Sequence, residues 1–189
     1  MRARRLLDRI RQLRRSESGV AAVEFALAAP MLTILTLGGL DVARYALTVN
    51  KVMKVGFSVS DVTAQYDSLS AQALSQVFRI SSQNLPGYVS GSTGVTILSS
   101  VQLDSANNPK VVWQCFSSAG GAWTSKIGTA GGTATMDKTL LADSKDNLIY
   151  SEVYYKFTPM FTVFFTGAFD IYSKALYRPR LGALTTKPC

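Results

Sequence analysis

The feature that most constrains this chain is an apolar stretch, Val20 to Leu40, whose only charged residue is Glu24. Its length is close to the ~20 residues that a helix needs to cross the hydrocarbon core of a bilayer. A carboxylate inside such a segment costs a few kcal/mol on insertion scales, so Glu24 needs either a polar partner or hydration near the headgroups. The stretch therefore predicts a membrane helix that carries one polar group.

A strongly basic segment precedes this stretch. Residues 1–18 hold seven arginines against Asp8 and Glu17, a net charge of +5, whereas the whole chain carries +8. Basic residues beside a membrane span mark its cytoplasmic flank, which explains the charge more simply than binding to nucleic acid does. We therefore expect a single-pass protein with a cytoplasmic N-terminus, an extracytoplasmic C-terminal region and no nucleic-acid partner.

The apolar stretch is predicted to remain in the mature protein. A cleaved secretory signal would need a small-x-small site after the stretch, and no convincing one follows Leu40. Pro30 removes one backbone donor and is expected to kink or open the helix. Inside a membrane such a break is tolerated where neighbouring protein covers it.

Beyond Leu40 the helix is predicted to continue as an amphipathic helix to the Pro86-Gly87 pair. Mostly apolar side chains recur there at steps of three and four residues: Val42, Tyr45, Val49, Val52, Gly56, Val59, Thr63, Tyr66, Ser70, Ala73, Val77 and Ile80. Such a stripe packs either onto the protein's own sheet or against the helices of other subunits, and the pattern alone leaves both open.

The remainder of the chain has the alternating, aromatic-rich pattern of β-strands. The predicted strands are residues 93–103, 110–116, 148–157 and 170–178. Asn107-Asn108-Pro109 predicts a turn, and the Ser-, Gly- and Thr-rich segment 117–147 predicts a surface excursion with a helical turn at 138–142. The predicted fold is therefore α+β: a long N-terminal helix, transmembrane and then amphipathic, packed on a small antiparallel sheet.

These elements predict four consecutive parts of the chain. They are a basic cytoplasmic leader (1–19), a transmembrane helix (20–41), an amphipathic helix (42–85) and an extracytoplasmic β-rich domain (86–189). Within the last part, the uncharged segment 157–169 is too short to span a bilayer. It is predicted to pack beneath the helix as core, with an exposed patch that recognises a partner as the alternative.

The residues that usually carry catalysis are scarce. The chain has no histidine, so it lacks the histidine-dependent nucleophile pairs and the usual nitrogen ligands of zinc. No phosphate-binding loop is present, and Asp137, Asp143 and Asp146 do not follow the EF-hand pattern. We expect a protein that is not an enzyme and that uses no cofactor or metal, although a pair of carboxylates brought together by the fold would reopen the question.

The two cysteines, Cys115 and Cys189, would both lie outside the cytoplasm, where disulfides form. We favour a disulfide between them, because exposed free thiols are a liability in an oxidising compartment. Two unpaired thiols are the alternative.

The N-terminal region from Ser18 to Tyr45 resembles the TadE-like proteins of the tight-adherence (Tad/Flp) pilus system. In that family a glycine, a glutamate five positions on, an apolar run with an internal proline and an acidic-then-basic exit recur. The matching residues are Gly19, Glu24, Pro30, Asp41 and Arg44. A looser likeness covers Glu152-Val153-Tyr154-Tyr155, Pro159 and the basic strand that follows.

This resemblance implies a pilin-like fold and the function of a minor pilin-like subunit (pseudopilin) in assembly of a Tad-type pilus or a related secretion filament. A prepilin peptidase would cut between Gly19 and Val20, and Glu24 would pair with the N-terminal amine of a neighbouring subunit. The implied location is the bacterial inner membrane, and the implied partners are the peptidase, other pilins or pseudopilins, Tad assembly-platform proteins and the lipid bilayer. The alternative is a single-pass anchored binding or structural module that is not processed.

Overall fold

The computed structural model of the chain describes residues 18–118 and 122–189. Its elements in chain order are α1 (Ser18–Thr63), α2 (Ala71–Asn84), β1 (Gly94–Leu103), β2 (Pro109–Phe116), a 3₁₀ turn (Lys138–Leu140), β3 (Asn147–Phe157) and β4 (Phe169–Tyr177). The predicted α+β architecture, with a long apolar N-terminal helix and a small antiparallel sheet, is confirmed. The leader residues 1–17 lie outside the described residues.

The chain divides into two compact units. The first, called the anchor unit below, contains the described residues up to Ala43 together with residues 159–166. The second, the sheet unit, contains residues 44–158 and 167–189. Helix α1 contributes its first part to the anchor unit and its last 20 residues, 44–63, to the sheet unit.

The prediction of one helix through residue 85 is wrong, because the helical segment is divided at residues 64–70. Polar side chains there bind the backbone instead of continuing the helix. The carboxylate of Asp67 accepts the N–H of Ser68 at 2.6 Å, and the Ser70 hydroxyl caps α2 by accepting the N–H of Ala73 at 3.2 Å. Short polar side chains favour such local bonds over a helix interior, and at an N-cap they stabilise the next helix.

The four strands form one antiparallel sheet in the order β2-β1-β3-β4. The pairing places Leu98 beside Ser151 and Ser151 beside Ala175, which sets one face of the sheet. The alternate residues, including Glu152 and its neighbour Ile97, face the other way. A bulge between Ser100 and Val101 interrupts the regular pairing of β1 with β2.

The second part of α1 packs onto the first of these faces. Val52 and Val59 are fully buried, and the hydroxyl of Ser151 donates to the backbone carbonyl of Gly56 at 2.7 Å. The hydroxyls of Ser60 and Ser151 also lie 3.2 Å apart, within hydrogen-bond distance. Over residues 52–63 the apolar stripe therefore packs onto the protein's own sheet.

The opposite face is covered by the excursion between β2 and β3. This segment is polar in composition, but it contributes Ile127, Ala134 and Leu141 to a buried cluster with Val101, Val111, Leu148 and Tyr150 of the sheet. The predicted helical turn is present at Lys138–Leu140. The excursion therefore closes the second half of the core, and it is more than a surface loop.

Candidate functional site

The anchor unit presents a helix whose apolar side chains face outward. Between half and three-quarters of the side-chain surface is exposed at Val20, Val23, Phe25, Leu27, Met31, Leu32, Ile34 and Leu35. A helix that is apolar on every side needs a membrane or other helices around it. Among the described residues, one helix, Gly19–Thr63, is long and apolar enough to cross a membrane.

The residues of the predicted cleavage site lie at the start of this helix. Gly19 and Val20 are in the first turn of α1, and both are exposed. A Cβ atom added to Gly19 would meet no other atom within 4 Å. The fold of the described chain therefore places no demand of its own on glycine at this position.

Glu24 is exposed on α1, one and a half turns beyond Gly19. Among the described residues it has no ion-pair partner. The exposed side chain is accessible to another molecule or to lipid headgroups. Of the other predicted site residues, Val20 lies four positions before Glu24, about one turn away on the same face of α1.

Pro30 lies inside the continuous helix α1. Two threonine hydroxyls just after Pro30 form hydrogen bonds within the helix. Thr33 donates to the carbonyl of Ala29 at 2.8 Å, and Thr36 donates to the carbonyl of Leu32 at 2.7 Å. These internal bonds leave the outer surface of the helix with few unsatisfied polar groups, which suits a lipid environment. The predicted kink at Pro30 stays a prediction.

Asp41 closes the anchor unit, a role that the sequence analysis did not foresee. Its side chain is fully buried, and its two carboxylate oxygens accept the backbone N–H groups of Met160 and Phe161, each at 2.8 Å. A carboxylate that accepts two backbone donors makes charge-assisted bonds, which are stronger than neutral ones. Asp41 therefore ties residues 159–166 to the helix within this unit.

A second contact fixes the same segment. The ring of Phe164 lies against Gly38, so close that a Cβ atom at residue 38 would fall 2.2 Å from the ring. Met160 and Phe164 nevertheless keep 63% and 53% of their surface exposed. The prediction that segment 157–169 packs as core holds for its end residue Phe157, which is buried. It is wrong for the middle of the segment, which contacts Asp41 and Gly38 of α1 but leaves its large apolar side chains at the surface.

In the sheet unit, a buried carboxylate organises the face that the excursion covers. Glu152 of β3 is fully buried and accepts hydrogen bonds from the Ser125 hydroxyl, the Lys126 backbone N–H at 2.8 Å and the Tyr172 hydroxyl at 2.8 Å. The amino group of Lys126 lies 4.0 Å from the centre of the Tyr172 ring. Three donors and a nearby cation offset the cost of burying the charge.

These contacts change the titration of the neighbouring tyrosines. Burial, followed by the hydrogen bond to Glu152, raises the pKa of Tyr172 well above its ordinary value. Burial and the charge of Glu152 raise the pKa of Tyr154 to about 12. Both phenols therefore stay protonated, and Tyr172 acts as a donor that holds the excursion and β4 on one carboxylate. Glu152 therefore has a structural role.

The cysteines and the C-terminal tail complete the sheet unit. Cys115 and Cys189 form a disulfide with Cα atoms 6.0 Å apart, the pairing that the sequence analysis favoured. Upstream in the tail, the carbonyl of Leu184 accepts the indole N–H of Trp113 at 2.7 Å and the hydroxyl of Ser100 at 2.8 Å. The tail is therefore fastened to the sheet both covalently and by buried hydrogen bonds.

Metal ligands do not converge in the part of the chain that the structure describes, where no group of three or more Asp, Glu or Cys side chains could hold an ion. Asp137 instead accepts the N–H of Thr139, a bond that lowers the pKa of its carboxyl. Asp143 accepts the N–H of Lys145, and Asp146 pairs with Arg178 at 3.2 Å.

The fold and the anchor unit define a class of protein: a small α+β domain on a single apolar helix of membrane-spanning length. Residues 19–55 match the family model described as TadE-like protein, which confirms the resemblance predicted for the N-terminal region. No curated protein matches the chain, and no solved structure does.

Proposed function

We propose that the chain is a pseudopilin, a minor pilin-like subunit for the assembly of a Tad-type pilus or a related secretion filament, without catalytic activity of its own. The observation that carries this proposal is the family match over residues 19–55, which begins at Gly19 and covers the outward-facing apolar helix. A subunit of this kind needs a retained helix to reside in the bilayer before assembly and to pack among other helices afterwards.

The proposed location is the bacterial inner membrane, with the arginine-rich N-terminus in the cytoplasm and the sheet unit outside. The charge of residues 1–18 supports this orientation through the positive-inside rule. The Cys115–Cys189 disulfide supports it independently, because such bonds persist outside the reducing cytoplasm.

We further propose that a prepilin peptidase cuts between Gly19 and Val20, and that Glu24 then pairs with the new N-terminal amine of a neighbouring subunit. The exposed Glu24 carboxylate is available for such a bond. Pairing would offset the cost of a carboxylate in lipid and would fix the register of adjacent subunits. Other pilin-type subunits and assembly-platform proteins are the proposed partners.

The test compares Gly19→Leu with the matched control Gly39→Leu. Both glycines lie on α1 in positions where an added Cβ meets no atom within 4 Å, so neither substitution creates a clash in the described chain. With the cognate peptidase co-expressed, Gly19→Leu should accumulate as the uncut precursor, whereas Gly39→Leu should be cut like the wild type. If the wild type, Gly19→Leu and Gly39→Leu all stay uncut and assemble equally well, the result would instead favour the alternative, an anchored module that is not processed.

A further inference from the structure

We propose that residues 159–166, called the apolar loop below, insert their side chains into the interfacial layer of the bilayer beside α1, so that the protein holds the membrane at two places. The partner of this surface is lipid. The contact lies where headgroups meet acyl chains, in the leaflet where the span ends. The inference rests on the proposed membrane anchoring by α1, and it adds a second, monotopic contact to it.

The apolar loop lies beside the end of the proposed membrane span. The apolar loop is fixed to α1 at Gly38 through the Phe164 ring and at Asp41 through the two backbone bonds. An α-helix rises about 1.5 Å per residue, so residues 38–41 lie within about 5 Å of the end of a span that closes at residue 41. The loop is therefore held at the depth where hydrocarbon gives way to headgroups.

The side chains of the apolar loop suit a contact with lipid. Residues 157–169 contain no charged side chain, and Met160, Phe161 and Phe164 keep 63%, 36% and 53% of their surface exposed. In the same unit, Leu35 and Leu40 of α1 are 63% and 49% exposed. An exposed apolar loop fastened to an exposed apolar helix forms a surface that water disfavours and that interfacial lipid covers.

The backbone of the loop sets its depth. Irregular backbone is not tolerated in contact with hydrocarbon, because each unsatisfied N–H or C=O costs several kcal/mol there. Asp41 satisfies two of the loop's N–H groups, and water and headgroup oxygens are available to the others only in the interfacial layer. Phenylalanine is among the side chains that interfacial segments bury at this depth, as Phe161 and Phe164 would be.

Lipid is favoured over a neighbouring helix by the contact at Gly38. Glycines on membrane helices allow a second helix to approach closely. At Gly38 this space is already filled by the Phe164 ring of the same chain, while Gly39 remains open. A second helix therefore cannot pack closely on the face of α1 that carries the loop. The exposed apolar side chains there need another apolar partner, which lipid supplies.

The experiment measures tryptophan quenching by brominated phosphatidylcholine in proteoliposomes that contain the full-length chain at a low protein-to-lipid ratio. Three single substitutions are compared after subtraction of the native Trp113 and Trp123 emission. Met160→Trp probes the loop and leaves the Phe164 contact with Gly38 in place, Leu27→Trp probes the middle of the span, and Phe116→Trp serves as a matched exposed position in β2.

We expect bromines near the headgroups to quench most of the emission added by Met160→Trp, bromines deep in the chains to quench Leu27→Trp, and neither to quench Phe116→Trp. Quenching at residue 27 without quenching at residue 160 would overturn the loop's insertion and leave the anchor intact. Absence of quenching at residue 27 would overturn the anchoring itself, and the inference with it.

A second variant tests how the loop is held. Asp41→Asn keeps one acceptor oxygen but cannot accept both N–H groups as a carboxylate does. In the Met160→Trp background it should reduce quenching at residue 160, while in the Leu27→Trp background quenching should stay at its original level. If quenching at residue 160 is unchanged, Asp41 does not hold the loop at the membrane, and that step of the proposal is wrong.

Discussion

The hydroxyl of Tyr172 donates to the carboxylate of Glu152 at 2.8 Å, across the pair of strands β3 and β4. Glu152 is fully buried, and the backbone N–H of Lys126 reaches the same carboxylate oxygen from the excursion. One carboxylate thus joins two strands and the segment that covers them. The consequences for stability can be measured directly.

Tyr172→Phe should destabilise the sheet unit. The substitution removes one donor from a buried charge, and hydrogen bonds to charged groups contribute about 1.5–3 kcal/mol to stability. Urea unfolding of the full-length chain in detergent should show a loss of that size. Tyr66→Phe is the control, because the Tyr66 hydroxyl makes no hydrogen bond to any described residue; equal losses in both variants would contradict the role of Glu152.

Alkaline pH should weaken the same cluster. Burial and Glu152 raise the pKa of Tyr172, and that of Tyr154 to about 12, above the value of 10.0 expected in the unfolded chain. A raised pKa contributes stability that is complete below pH 10 and is lost as the pH rises toward the folded-state value. The wild type should therefore lose stability from pH 10 to 12, and Tyr172→Phe should lose less. Parallel pH profiles would show that Tyr172 is not responsible.

Reduction of the disulfide should loosen the C-terminal tail. Cys115 and Cys189 are separated by 74 residues, and closing a loop of that length is worth on the order of 4 kcal/mol in the chain-entropy model. Cys189→Ser should lower the free energy of unfolding and remove its dependence on dithiothreitol. A wild type whose unfolding midpoint is the same with and without reductant would contradict this account.

Glu24→Gln should separate processing from assembly. The substitution keeps the size of the side chain and removes the charge that would pair with a neighbour's amine. Cleavage should survive, because Glu24 lies beyond the scissile bond, whereas recovery of the subunit in cross-linked complexes should fall. If recovery is unchanged, Glu24 is hydrated near the headgroups and makes no assembly contact.

Much of the fold could be predicted because its elements rest on local patterns. The strands begin and end within one residue of the predicted positions, since alternation and aromatic content mark buried strands. The break at residues 64–70 was missed because Tyr66 and Ser70 happen to continue the helical stripe. Only the side-chain bonds of Asp67 and Ser70 reveal it.

The site residues divide in the same way. Gly19 and Glu24 were found from their spacing, because that signal is local in sequence. Asp41 was noted only as part of an exit motif, since its partners, Met160 and Phe161, lie about 120 residues away. Glu152 likewise finds its donors through tertiary contacts, which no periodicity encodes.

The mass of the mature chain shows whether the leader is removed and the apolar helix is retained. The full-length protein, expressed with its cognate prepilin peptidase and extracted from membranes, would be analysed by intact mass spectrometry and N-terminal sequencing. We expect a chain that begins at Val20 and retains the apolar helix. A chain that still begins at Met1, or one cut after Leu40 so that the helix is lost, would contradict this expectation.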